Sequence, residues 1–329
     1  MVTFELLLSK SRITAITLSI TLKILLFGLM LGLIPVLLLN TLVDLHQRSY
    51  IAMAQNTSLS SINLASQNQT KQMVSNDTIT IKLLADNLGN ILNKTAAILE
   101  VTSLLPQVKN ASYANSINPT YHGIPQNLDS AKRAIAQQIL AKYHDFDIVF
   151  FLMPNGDMYL MEPYSQQAHL TKNNYAFRDY YKGAIVTNNT YLGGVIISTA
   201  TGKKQAVISV PIYSETKKLV GIWGGDISLK AIENSLQALN IGSSNSNASN
   251  LQERVVFVDQ NGKKVADSDK TLSSNQNESF VTLQSFKNGE GGKTGSLVED
   301  YHGKRMLITY QPVKLNTTNW VVLLMRPFQ

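Results

Sequence analysis

Two hairpin patterns of the same build constrain this chain more than anything else in it. Asp147 to Met153 is an apolar extended run that enters Pro154-Asn155-Gly156-Asp157 and continues into Met158 to Met161; Arg254 to Asp259 enters Gln260-Asn261-Gly262 and continues into Lys263 to Ala266. Asn-Gly supplies the backbone conformation a tight turn needs between two strands, so each run predicts an antiparallel hairpin. The repetition continues downstream. Gly202 follows Asn155 by 47 residues and opens a strand reaching Pro211; Gly303 follows Asn261 by 42 and opens one reaching Pro312. Each is followed by a turn and a last hydrophobic strand, Leu219 to Ile227 and Trp320 to Met325. Two copies with different insertions predict two α+β modules with antiparallel sheets.

Ahead of the first copy the pattern turns helical. From about Asp44 to Leu105 there is no proline and one glycine, and Ile79, Leu83, Leu84, Leu88, Ile91, Leu92, Ala96 and Leu99 recur near helical spacing. This predicts one long helix whose polar first half, Gln55 to Asn76, is an exposed stalk or packs on a partner; Pro106 ends it. Ser130 to Tyr143 predicts a short amphipathic helix with Ala134, Ile135, Ile139 and Leu140 on its apolar side and Asp129 or Ser130 as cap. Ile232 to Leu239 predicts a bridging helix, and Gly242 to Asn250 a Ser/Asn/Gly linker.

The N-terminal part contains a different element. Ile24 to Leu39 is almost wholly apolar, and tolerating Asn40 and Thr41 extends the run to Val43. Twenty residues of helix at about 1.5 Å each match the roughly 30 Å hydrocarbon layer of a bilayer. Gly28, Gly32 and Pro35 suit a membrane helix better than a soluble one, while the Gly28/Gly32 spacing is a weak pairing signal that chance explains. A cleaved signal peptide competes, but the run exceeds a usual signal core and Leu39-Asn40-Thr41-Leu42 has no small-x-small cleavage pattern; a buried core helix competes as well. The expected reading is a retained anchor at 24–43. Lys10, Arg12 and Lys23 precede it, placing residues 1–23 in the cytoplasm and the rest outside a cell membrane crossed once. Nine Asn-x-Ser/Thr sites, Asn56, Asn68, Asn76, Asn93, Asn110, Asn188, Asn247, Asn277 and Asn316, all follow the anchor and are candidate glycosylation sites, although an Asn- and Ser/Thr-rich chain generates such triplets by chance.

Composition closes several functional classes. The chain has no cysteine, which removes disulfides, thiolate metal sites and cysteine nucleophiles. Its net charge of +7 comes from scattered residues rather than a basic patch, which argues against nucleic acid. His46, His122, His144, His169 and His302 lack metal-ligand spacing, and no serine sits in a G-x-S-x-G elbow. Gly289 to Gly295 departs from phosphate-loop spacing and predicts a β-turn loop. His144 with Asp145 and Asp147 is too slight for catalysis, so no enzyme and no cofactor is expected.

This arrangement, with Phe177-Arg178-Asp179-Tyr180-Tyr181-Lys182-Gly183-Ala184 in the first copy, Gly202 into Val210-Pro211-Ile212-Tyr213, and Gly221 to Leu229, resembles the double Cache sensor family over residues 44–329. Members are extracytoplasmic tandem PAS-like ligand-binding regions of chemoreceptors and sensor kinases. The resemblance implies a long helix at 44–105, a membrane-distal module at 106–240 and a membrane-proximal module at 241–329, with the ligand in the distal one. An amino-acid-binding subgroup uses Arg-x-Trp-Tyr with later acids. Arg178 matches its carboxylate-pairing arginine, Tyr181 its tyrosine, and Asp226 lies near its ammonium-holding acid; Tyr180 replaces the tryptophan, Asn173 an upstream tyrosine, and Ser198 a second acid. The implied ligand-binding set is therefore Arg178, Tyr180, Tyr181, Ser198 and Asp226, for a small polar or carboxylate ligand with an amino acid among the options. Plainer roles stand beside it: Arg178 fastening a loop, Tyr180 and Tyr181 packing with one buried and one exposed, Asp226 capping a turn, and Trp223 and Trp320 as core.

The expected function is small-molecule sensing by a membrane-anchored ectodomain that acts as a homodimer or with a separate signalling partner. The alternative is a surface glycoprotein using the same fold for protein contacts without a small ligand. Receptors of the family continue into a second membrane helix and a signalling module beyond the point where Gln329 stands, which implies either a multi-chain sensor or a fragment.

Overall fold

The computed structural model describes residues 62–239, 253–272, 278–315 and 317–328. The expected anchor at 24–43, the residues before it, the first part of the long helix and the 242–250 linker lie outside the described residues. Among the described residues no helix is long and apolar enough to cross a membrane. Residues 1–67 and 68–329 are separate units, and the description that follows concerns the second.

In chain order, helix α1 (Ile62–Ser103) is followed by α2 (Pro106–Lys109) and α3 (Ser130–Lys142), then hairpin β1 (Phe146–Leu152) and β2 (Met158–Glu162). Next come α4 (Tyr164–Ala168), α5 (Asp179–Thr187), β3 (Tyr191–Leu192), β4 (Ile196–Ile197), β5 (Lys204–Tyr213), β6 (Leu219–Ile227) and α6 (Leu229–Ala238). The second module has β7 (Arg254–Val258), β8 (Lys264–Asp267), α7 (Gln284–Glu290), β9 (Gly295–Tyr301), β10 (Lys304–Lys314) and β11 (Asn319–Pro327). Its sheet order is β8-β7-β11-β10-β9, and the first sheet runs β2-β1-β6-β5-β3 with β4 also on β5. The paired strands are antiparallel. Both predicted turns form, with Gly156 at φ 87° and Gly262 at φ 73°.

Strand alternation gives each sheet two buried faces. One face of each packs on α1: Phe151, Ile208 and Trp223 from the first sheet, Phe257, Trp320 and Leu324 from the second, share a core with Ile81, Leu84, Leu88, Leu92 and Leu99. Asp77 anchors the helix at its polar end through Arg326 on β11, at 2.8 and 3.0 Å. The opposite face of the first sheet, with Ile148, Phe150, Met158 and Val207, is covered by Tyr175, Tyr180, Tyr181 and Ala184. In the second sheet Val256, Ile308 and Leu323 are covered by Phe280, Leu283 and Phe286.

Several expectations change. Ile79 is 54% exposed and Leu83 also faces out, because the buried stripe of α1 runs through Ile81, Leu84, Ala85, Leu88 and Leu92. On α3, Ala134 is exposed while Lys132 and Arg133 are buried. Arg133 meets Glu162 at 2.6 Å, and the Lys132 ammonium lies 3.8 Å from the Phe151 ring centre. Pro106 opens a new turn of helix instead of ending the long one, which stops at Ser103. Tyr180 and Tyr181 are both buried, since they lie on a helix rather than a strand. Gly289 and Glu290 close α7, and the turn follows at Gly291 and Gly292. Trp223 and Trp320 are core residues, and their indole N–H groups donate to Thr102 and Gln260.

Candidate functional site

The covered outer face of the first sheet holds the cavity in question. The N–H of Met158 donates to the Asn173 carbonyl and that of Tyr175 to the Gly156 carbonyl, both at 2.8 Å, which folds the chain after β2 back over the hairpin. The Arg178 N–H then donates to the Tyr175 carbonyl, and α5 starts at Asp179. Arg178, Tyr180, Ser198 and Asp226 line one cavity with Tyr175 and Gln205, floored by Phe150, Met158 and Met161. Four of the five residues implied by the sequence therefore meet, from α5, the β4–β5 loop and β6.

Tyr181 does not join them. Successive residues on a helix turn by about 100°, and its hydroxyl instead donates to the Pro154 carbonyl at 2.6 Å. Ser198 lines the cavity but uses its hydroxyl locally, accepting from the N–H groups of Ala200 and Thr201 at 3.2 Å, so it shapes the loop wall.

Arg178 is incompletely satisfied. One guanidinium nitrogen, Nη2, donates to the Ile197 carbonyl at 3.2 Å, while Nε is buried without a partner. Asp226 is 3% exposed and accepts a hydrogen bond from the Gln205 amide. Burial pushes its carboxyl up to about 8; the Gln205 bond and the charge of Arg178 oppose this, and Asp147 reinforces it. At neutral pH Asp226 therefore holds its proton in this closed arrangement. Tyr180 is also raised, by burial first and then by the Asp226 charge. The Tyr175 hydroxyl donates to the Lys172 carbonyl and hydrogen-bonds Thr199, each at 3.0 Å, tying the cavity roof to the loop.

The free volume inside is about 20 Å³, room for about one water. An amino-acid-sized molecule enters only if a wall moves; on one side, β4 is held to β5 by two residue pairs and leads into the loop at Ser198 to Ala200 that lines the cavity. A wider groove of about 570 Å³ lies nearby, lined by Ile117, Asn118, Met153 and Asp157 among others, with no cationic side chain on it. The cationic side chain, Arg178, lines the smaller cavity.

Gln205 and Tyr175 were not legible as site residues. Gln205 did leave a signal: on β5 it shares a face with Val207, whose register partner is Asp226, so it is a polar residue on an apolar stripe. Tyr175 left none, because its place depends on the fold-back over the hairpin.

The equivalent face of the second module is closed by its own charges. Arg254 grips Asp267 at 2.6 and 3.1 Å and Glu278 at 2.6 and 2.8 Å. Lys264 reaches the same two acids at 3.1 and 2.9 Å, and the Tyr301 hydroxyl donates to Glu278 at 2.7 Å. Two cations face two anions there, while Arg178 has a bare edge.

Strand order, the duplicated hairpin and the helix shared by both sheets define an α+β protein with two antiparallel sheets. The Cache domain model matches residues 58–329, and the chain belongs to that family. Solved structures with the same fold include the ligand-binding domain of the Pseudomonas fluorescens chemoreceptor CtaA in complex with L-isoleucine, at 19% identity and TM-score 0.52, covering 80% of this chain and 95% of that one. The ligand-binding domain of the Pseudomonas aeruginosa chemoreceptor PctC, in complex with GABA, is similar at 17% identity and TM-score 0.53, covering 77% and 99%. The extracellular domain of a putative histidine kinase, rpHK1S-Z16, is similar at 12% identity and TM-score 0.56, covering 80% and 97%. At these identities the likeness is one of fold. No curated protein matches.

Proposed function

We propose that the chain is an extracytoplasmic sensor whose first module binds a small carboxylate-bearing metabolite between Arg178 and Asp226. The observation that carries this reading is the buried, unpartnered Nε of Arg178 in a cavity wall. A buried guanidinium edge left unpaired is costly, and a carboxylate satisfies it in the fork geometry arginine favours. The contrast with Arg254, whose bonds are complete, supports the first module over the second. Asp226 offers a proton-bearing oxygen to a carboxylate or, once ionised, a partner for an ammonium group; both amino acids and simple acids fit this chemistry. The structures named above, solved with L-isoleucine and GABA, are consistent with that range.

In this reading the 24–43 segment anchors the chain with residues 1–23 in the cytoplasm, and the modules lie outside, acting as a homodimer or with a separate signalling chain. Asn93, Asn110 and Asn188 are exposed and accessible to glycosylation; Asn76 is half-buried. Asn56, Asn247, Asn277, Asn316 and the side chain of Asn68 lie outside the described residues.

The test is a thermal-shift screen of the full chain in detergent against L-amino acids, GABA, short carboxylates, amines and purines. A binder at 100 times its Kd adds about 2.7 kcal/mol of stability. The expected hit contains a carboxylate and is lost in Arg178→Ala but kept in Tyr181→Phe. A hit that survives Arg178→Ala overturns the placement, and a panel without hits favours the protein-contact alternative.

A further inference from the structure

The segment between β3 and β4, which leads directly into the cavity wall at Ile196, is held from two sides by carboxylates belonging to different modules. The Gly194 N–H donates to Asp179 at 2.7 Å, and the next N–H, of Val195, donates to Asp259 at 2.6 Å. The Val195 carbonyl accepts from the Lys263 ammonium at 3.2 Å. Asp179 stands between the cavity residues Arg178 and Tyr180; Asp259 stands at the turn of the second hairpin. Position 194 has no room for a side chain: a Cβ there would lie 2.2 Å from the Asn261 amide nitrogen and 2.8 Å from the Asp259 carboxylate. The close approach of the loop to the second module is thus built in.

The duplication shows what Asp259 is for. In the first hairpin the Met153 N–H donates to the Asp157 carbonyl and the Gly156 N–H to the Met153 carbonyl, both at 2.8 Å. In the second, the Asp259 N–H donates to the Lys263 carbonyl at 2.9 Å and the Gly262 N–H to the Asp259 carbonyl at 3.0 Å. The same two backbone bonds close with methionine in one copy and aspartate in the other, and in the first copy the Asp157 N–H is met by the Asn155 side chain instead, so the bond to Val195 has no counterpart in the needs of the turn. Asp259 is nevertheless fully buried, where an ionisable group is costly unless it is hydrogen-bonded. Its carboxylate accepts from the N–H groups of Asn261 and Lys263 at 2.9 and 2.8 Å with one oxygen and from Val195 with the other. One carboxylate thereby joins the turn of the second hairpin to the cavity wall of the first module.

From this we infer that the Asp179–Gly194–Val195–Asp259 clamp couples the two modules, so that a displacement of the cavity wall is passed to the second hairpin through Asp259. The inference rests on the reading of the cavity as the ligand site for its trigger, but the clamp itself can be tested without a ligand. The physical requirement is one element whose position both sites bias, and the 193–200 loop meets it, with Ile196, Ser198, Thr199 and Ala200 on the cavity and Val195 on the second module.

The experiment is amide hydrogen exchange on the full chain in detergent, comparing wild type, Asp259→Met, Arg178→Ala and the double variant. Asp259→Met copies the residue with which the first hairpin already closes, and Asp259→Asn serves as a second variant that keeps size and an acceptor. In Asp259→Met the amides of Val195, Ser198 and Gly202 should exchange at least about tenfold faster, while that of Gly262 stays protected. Arg178→Ala, a change inside the first cavity, should speed exchange at Phe280 and Gly262, and that effect should vanish when Asp259→Met is also present. Unchanged exchange at 195–202 in both Asp259 variants, or a second hairpin indifferent to Arg178→Ala, overturns the clamp. L-leucine and GABA, added as probes at saturating concentration, separate the two readings. Binding with no response at Gly262 or Phe280 sinks the clamp alone; a response to Arg178→Ala without binding by either probe retains the clamp and counts against the ligand assignment.

Discussion

Replacing Asp226 by asparagine tests the electrostatics of the cavity most directly. Asp226 lies on β6 with its carboxyl against the Gln205 amide, and burial moves it from 3.8 to about 8. An unfolded chain loses this proton near pH 4, whereas the folded chain keeps it to about pH 8. Between those values the folded state binds more protons than the unfolded one, so stability falls as pH rises; the contribution is full below pH 4 and gone above 8. The interval from 3.8 to about 8, at about 1.4 kcal/mol per pH unit, caps the effect at about 6 kcal/mol. Water entering the cavity and the nearby charge of Arg178 reduce it, so a loss of at least ~2 kcal/mol between pH 5 and 8 is expected. Asparagine keeps a partner for Gln205 and cannot ionise. Urea unfolding followed by the fluorescence of the buried Trp223, on the same strand, should show wild-type midpoints falling from pH 5 to 8 and a flatter profile for Asp226→Asn. Parallel profiles for the two proteins would refute the argument, because they would mean that Asp226 already ionises normally in the folded state.

The same proton discriminates ligand classes: an ammonium-bearing ligand should make Asp226 ionise and release about one proton per site at pH 7, a plain carboxylate should not, and calorimetry in buffers of different ionisation enthalpy reads the difference. Lys132 is fully buried beside Phe151 and Tyr159, and burial pulls its ammonium down to about 8 from 10.5. Its cost is full below pH 8 and fades as pH rises to 10.5, so Lys132→Met should raise stability by ~1–3 kcal/mol at pH 7, with the gain narrowing toward pH 10 in the same urea assay. Glu278→Ala leaves Arg254 and Lys264 sharing one acid and should cost about 3–5 kcal/mol. Burial alone would raise Glu278, but bonds from Arg254, Tyr301 and Lys264 hold it at about 2, so its contribution is present above pH 4.5 and lost as pH falls toward 2; acid titration of wild type should show a step that Glu278→Ala lacks.

Much of the scaffold is legible in the sequence. The hairpins at Asn155-Gly156 and Asn261-Gly262, the last strand of each module, at Leu219–Ile227 and Asn319–Pro327, and the helix before Pro106 follow from turn chemistry and periodicity, which act over a few residues. Family resemblance pointed to Arg178, Tyr180, Ser198 and Asp226, and the chain brings those four to one cavity. It also pointed to Tyr181, which the helical turn directs to Pro154. The burial of Lys132 and Arg133 on α3 escaped the apolar pattern, because their partners Phe151, Tyr159 and Glu162 lie on strands formed later in the chain.

The sequence by itself thus determined the elements and their duplication, since each depends on neighbours in the chain, while the candidate ligand residues came from family resemblance. Only the tertiary structure decided which arginine is left incomplete. Arg178 and Arg254 are both positive and each has an acid as an immediate neighbour in the chain, Asp179 and Glu253, yet one keeps a bare Nε and the other is bonded to Asp267 and Glu278. That difference arises from groups tens of residues apart meeting at hydrogen-bond distance, and the strength of such contacts is set by burial and geometry that no local pattern carries.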